Sequence, residues 1–122
     1  MQIIDDFSGE YDFLSNDYPS RIGVSKTSKN YDTVNEAFTA LRDYYANNYN
    51  LRTYTLYDMQ DLIMEKFLTY PELAERLVAT RKAVILAPGD DKFFCYCNGE
   101  GENQLGRILM TMRDALYNQF FL

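Results

Sequence analysis

The chain has no histidine and no tryptophan, and only two cysteines and three prolines in 122 residues. Each shortage excludes something. Without histidine there is no Ser–His or Cys–His nucleophilic pair and no histidine-ligated zinc. Any acid–base chemistry therefore falls to carboxylates or tyrosine. Cys95 and Cys97 are too few for a structural zinc site, and their spacing is not C-x-x-C. No metal and no cofactor is expected. No apolar run approaches the length that spans a bilayer. The start, Met1-Gln-Ile-Ile-Asp-Asp-Phe7, lacks the basic region and apolar core of a secretion signal. A cytoplasmic protein without membrane contact is the expectation. Positive charge is also scarce. Twelve Lys and Arg against 18 Asp and Glu leave a net charge of −6. That excludes broad nucleic-acid binding, which needs clustered basic residues, but not the holding of one small anion in a local pocket.

What is present points to a globular chain. Its length predicts one domain over 1–122, with enough chain for a core. Eleven tyrosines and eight phenylalanines bring the aromatic share to 16%. Tyrosine joins an apolar face to a polar tip, which suits both cores and stacking sites. Cys95 and Cys97 fall two apart in an apolar run. On a strand they would share one face as small buried hydrophobes.

The most suggestive stretch runs from Gly99 to Arg113, GEGENQLGRILMTMR. A polar, glycine-rich loop leads without a break into an amphipathic helix. Glycine lets backbone approach a ligand closely, and a helix start offers unpaired N–H groups and a positive dipole end. A nucleotide-like anion could sit there. The glycines follow neither G-x-G-x-x-G nor the P-loop pattern, and a plain turn before a helix has the same look.

Hydrophobic periodicity sets the rest. Ile3 to Tyr31 reads as loop-rich, with Asp17-Tyr-Pro-Ser20 as a turn and short strands at Ile22–Ser25 and around Tyr31. Thr33-Val-Asn-Glu36 is a capping box, and Val34, Ala37, Phe38 and Leu41 follow at helical spacing, predicting a helix over 34–47. Met59, Leu62, Ile63 and Phe67 predict a second helix over 57–69. A third starts near Pro71, which suits a first helical turn. Residues 83–86 and 92–97 read as strands around a turn at Pro88-Gly-Asp-Asp91. The last helix starts near Asn103 or Gln104 and carries a stripe of Leu105, Ile108, Leu109, Met112 and Leu116. The tail Phe120-Phe-Leu122 is expected to pack on the domain or on a second copy, so a homo-oligomer is one expected partner. Helices mixed with short strands and no βαβ rhythm give an α+β fold, mainly helical.

In order along the chain, several segments resemble the NADAR superfamily. They are Phe13-Leu-Ser-Asn16 with Tyr18-Pro19, then Tyr31-Asp-Thr-Val-Asn-Glu-Ala-Phe38 running on to Arg42, then Lys66-Phe67, Pro71-Glu-Leu73 and Leu77-Val-Ala-Thr80. Asp91-Lys-Phe-Phe94 and Gly101-Glu-Asn-Gln-Leu-Gly106 running on to Arg113 complete the set. The resemblance covers nearly the whole chain. It implies a domain acting on NAD- and ADP-ribose-related ligands, in a family that includes N-glycosidases and enzymes removing ADP-ribose from guanine.

The departures bear on function. The family's catalytic glutamate stands three residues before the aromatic that is Phe38 here, and that position is Asn35. The family's Asp-x-x-Trp-Gly reads Asp91-Lys-Phe-Phe94-Cys95. The tryptophan before the second helix has no counterpart, and the segment between Arg42 and Met59 is short. N-glycosidic cleavage uses a carboxylate to stabilise an oxocarbenium-like sugar or to activate water, and asparagine does neither well. Glu36 and Asp91 are the remaining catalytic candidates, although Glu36 has a ready capping role and Asp91 a ready turn role. An amide also repels a phosphate less than a carboxylate does and adds two donors.

The resemblance therefore implies a divergent, catalytically depleted member, leaning away from an enzyme. It would bind and sequester an ADP-ribose-derived nucleotide, as a virus-encoded sponge for cyclic or conjugated ADP-ribose immune signals would in the host cytoplasm. Gly101, Asn103 and Gly106 would contact phosphate or ribose, with Ser15 and Asn16 opposite. Asn35 would add amide donors, and Asp91 would serve as a further polar contact. Arg42 would neutralise phosphate, and Phe94 would stack on a base. The alternatives are an active N-glycosidase or ADP-ribosyl hydrolase using Asp91 or Glu36, and a protein-interaction domain that kept only the fold.

Overall fold

A computed structural model describes residues 1–48 and 55–121. Its elements are those of an α+β fold. They run β1 (Ile3–Ile4), a 3-10 helix (Gly9–Leu14), β2 (Ile22–Val24), β3 (Lys29–Tyr31), α1 (Val34–Asn48), α2 (Thr55–Thr69), α3 (Pro71–Val78), β4 (Val84–Ile85) and α4 (Gln104–Phe121). Contacts divide the chain into two units, Asn16–Tyr70 and Met1–Ser15 with Pro71–Leu122.

In the Asn16–Tyr70 unit, β2 and β3 form an antiparallel hairpin with Ile22 opposite Tyr31 and Val24 opposite Lys29. Thr33 caps α1, its Oγ1 accepting the Glu36 N–H at 3.1 Å. The return half of the capping box is displaced by one residue, because Glu36 accepts the N–H of Asp32 at 3.2 Å. Val34, Ala37, Phe38 and Leu41 of α1 are buried, as are Met59, Leu62, Ile63 and Phe67 of α2. These stripes meet where α1 packs on α2. Each fully buried Leu, Ile, Phe or Val stabilises by about 1.5–3 kcal/mol, so the periodic stripes are what hold the pair together.

In the other unit, β1 and β4 pair in parallel, Ile3 with Val84 and Ile4 with Ile85. The 3-10 helix buries Phe13 and Leu14. Pro71 opens α3, where its missing N–H costs nothing. The helix buries Leu73, Ala74 and Leu77 and packs on α4, which also packs on β4. Leu105, Ile108, Leu109 and Leu116 are the buried stripe of α4, with Met112 half-buried.

The strand expected over 92–97 does not form. Asp91 Oδ1 accepts the N–H groups of Phe93 (2.8 Å) and Phe94 (2.9 Å), and the Asp91 carbonyl accepts that of Cys95 at 2.8 Å. Three donors that a strand would offer to a neighbour are consumed locally. Only an isolated antiparallel bridge, Cys97 with Glu100, remains there. Cys95 is accordingly half-buried and Cys97 exposed, not a buried pair on one face. The Phe120 and Phe121 side chains and Leu122 lie outside the described residues, as does part of the segment between Arg42 and Met59. No helix among the described residues is long and apolar enough to cross a membrane.

Candidate functional site

In the Asn16–Tyr70 unit, the start of α1 is fastened to the loop that precedes β2. The Asn35 backbone N–H donates to the Asn16 carbonyl at 2.9 Å. The Asn35 side-chain amide donates to Asp17 Oδ1 at 3.0 Å. Asn16 Nδ2 lies 3.5 Å from Met59 Sδ on α2. Asn35, Phe38 and Arg42 follow at i, i+3 and i+7, one face of α1. Arg42 is exposed and lies over the Phe38 ring, 5.8 Å from its centroid.

Next to this loop stands a residue that sequence reasoning left unassigned. Lys66 is only 1% exposed. Its Nζ lies 5.6 Å from the Tyr18 ring centroid and 5.3 Å from that of Phe67. A signal was present, since Lys66 stands three residues after Ile63 and seven after Met59, on the buried face of α2. Asn16, Asp17, Tyr18, Asn35 and Lys66 thus form one polar group tied to two helices.

In the other unit, Asp91, Phe94, Gly101, Asn103 and Gly106 surround the start of α4. Ser15 closes the 3-10 helix, its N–H donating to the Asp12 carbonyl. Phe94 stacks edge-on against Phe93 at 4.9 Å between centroids. Asp91 lines a small cavity of about 170 Å³ while its Oδ1 caps the turn. Asn103 is buried and acts as a clamp. Its Oδ1 accepts the Ala87 N–H at 2.8 Å, and its Nδ2 donates to the Ile85 carbonyl at 2.9 Å.

The glycines serve the same packing. A Cβ at Gly106 would stand 2.2 Å from the Ile85 oxygen. One at Gly101, where φ is +119°, would stand 2.1 Å from the Cys95 oxygen. The expectation of unpaired N–H groups at this helix start is corrected. Gln104 donates to the Phe93 carbonyl (3.1 Å) and Leu105 to that of Phe94 (2.9 Å), because the turn held by Asp91 folds its carbonyls over the helix end.

The carboxylates raised by the sequence are likewise engaged. Glu36 caps α1 through the Asp32 N–H, and Asp91 holds two N–H groups. A second residue passed over by sequence reasoning is Arg113, buried on α4 and donating to Thr80 Oγ1 (3.0 Å) and the Ala83 carbonyl (2.8 Å). It stands four residues after Leu109 and three before Leu116, again on the apolar stripe.

No family model matches the sequence. An N-glycosidase of Nostoc punctiforme is 32% identical over 62 residues, a match covering 49% of this chain and 40% of that protein. The chain thus aligns with less than half the length of this curated relative. The NMR structure of the E. coli protein YbiA shares the fold. It superposes with a TM-score of 0.78 at 23% identity, covering 98% of this chain and 88% of that one. The chain is thus similar to an N-glycosidase over about half its length and shares the fold of YbiA over nearly all of it.

Proposed function

We propose that this protein uses an N-glycosidase-like fold to bind and sequester an ADP-ribose-derived nucleotide without hydrolysing it efficiently, as a virus-encoded sponge for cyclic or conjugated ADP-ribose signals would. The observation that carries this reading is Asn35. At the position of the family glutamate stands a neutral amide, already bonded to Asp17. Glu36 and Asp91, the other candidate carboxylates, are held by backbone N–H groups. A charge-stabilising carboxylate or general base contributes about 10²–10⁴-fold to such a reaction. What is left favours holding over cutting: an exposed guanidinium at Arg42, two turns along the same face of α1 as Asn35. Its charge suits phosphate.

The test is recovery of the ligand. The protein is incubated with ADP-ribose and with cyclic and base-conjugated ADP-ribose, separated from free nucleotide, denatured, and the released material analysed. Intact nucleotide in near-stoichiometric amount is the expected result. Free base or conjugate in catalytic excess over protein would overturn sequestration, and so would the absence of any retained nucleotide.

Asp17 favours a second reading, an active N-glycosidase, because its exposed carboxylate lies 3.0 Å from the Asn35 amide. The carboxylate would then act from the loop. Asp17→Asn separates the two readings. It abolishes turnover in the second and leaves nucleotide intact and bound in the first.

A further inference from the structure

We propose that the cavity between the end of α3 and the second half of α4 is a binding site for a small phosphate-bearing anion. The cavity measures about 430 Å³ and is lined by Arg81, Lys82, Arg113, Asp114, Tyr117 and Asn118 among others. That volume lies within the range of small-ligand pockets. Gln104, the first residue of α4, precedes Arg113 by nine residues, a rise of about 13.5 Å, so the site is separate from the loop at the start of α4.

Three observations converge. The first is charge. A chain with net charge −6 has 12 basic residues, and three of them line this cavity against one carboxylate. The overall field repels polyanions, so a local group of cations is what makes the place selective. The second is Arg113, which is 7% exposed. One terminal nitrogen is fixed by Thr80 and Ala83, which holds the guanidinium plane still. Its Nε is buried without a hydrogen-bond partner. The nearest acid, Asp114, stands 4.0 Å from it with a side chain 77% exposed, too far for a hydrogen bond and free to turn to solvent. The Nε itself is closed off from the cavity, so an anion there meets the guanidinium through the part of Arg113 that lines the wall, and its fixed charge suits an anionic oxygen.

The third is Arg81. Its N–H donates to the Val78 carbonyl at 3.0 Å, and its φ is +58°. It occupies the left-handed position after a helix that glycine normally fills. An arginine there works against local stability, while Arg81 lines the cavity. Tyr117 adds an aromatic ring and Asn118 an amide to the cavity wall.

The probe is inorganic pyrophosphate, titrated into ¹⁵N-labelled protein at constant ionic strength while the arginine Nε–Hε signals are followed. The Arg113 signal is expected to move and saturate. Arg81→Gly is the decisive variant. It should raise the melting temperature, since glycine relieves the left-handed residue, yet weaken pyrophosphate binding about tenfold, the loss of one close charge contact. Lys82→Ala should weaken binding similarly with little change in melting temperature. Three results would overturn the proposal: an Arg113 signal that stays put, shifts that never saturate (an adventitious ion only), or wild-type affinity in both variants. Pyrophosphate has neither ribose nor base, so the outcome stands whether or not ADP-ribose is retained.

Discussion

At the residue scale, the side chains with most to say are polar ones in apolar places. Lys66 and Arg113 both fall on the core stripe of their helices and are both buried. Periodicity marked those positions as inward, but Lys and Arg read as surface residues by type. Asn35 was legible only through the resemblance. Its bond to Asp17 was not, because the two are 18 residues apart. That bond sharpens what Asn35→Glu alone would do. It would replace the Asn35–Asp17 hydrogen bond by repulsion between two carboxylates and weaken retention of an anionic ligand. Asn35→Glu combined with Asp17→Asn keeps an amide–carboxylate pair in reversed order, and hydrolysis assays should then show a gain of about 10²–10⁴-fold over the wild type. The cysteines give an independent check. Burial, and then the Asp91 charge, push the Cys95 thiol above its ordinary value of 9.0. Folding stability tied to it is complete below pH 9.0, the unfolded value, and falls as pH rises through the higher folded value. Denaturation curves at rising alkaline pH should show that fall in the wild type and less of it in Cys95→Ser. Iodoacetamide should label the exposed Cys97 before Cys95.

At the element scale, caps and apolar stripes were readable and the segment before α4 was not. Thr33 and Pro71 mark helix starts because their chemistry is local. Residues 92–97 alternate like a strand, but one carboxylate at Asp91 collects the donors a strand needs. The same turn carbonyls then close over the first N–H groups of α4. A sequence shows the glycines and the helix but not which acceptors reach the helix end. Gly101 and Gly106 also have a packing role that their sequence does not show, since a Cβ at either would meet a protein oxygen. Asn103→Ala should cost about 1–3 kcal/mol for each of the two partners it strands, the Ala87 N–H and the Ile85 carbonyl. Urea denaturation measures it. A cost near zero would mean that the clamp is not needed to join β4 to α4.

At the scale of the whole molecule, the mix of helices and short strands without a βαβ rhythm carried the α+β fold class, and the fold shared with YbiA over 98% of the chain bears it out. Strand pairing was beyond that reading. β1 and β4 are two residues each and pair in parallel across some eighty residues, too short a pattern for periodicity to connect. The proposed function turns on one distinction, whether the nucleotide is held or cut. Native mass spectrometry of the protein mixed with a base-conjugated ADP-ribose, followed over hours, tests that most directly. Sequestration predicts a one-to-one complex whose ligand mass does not change. A complex that decays to free protein while base and ribosyl product accumulate would contradict it.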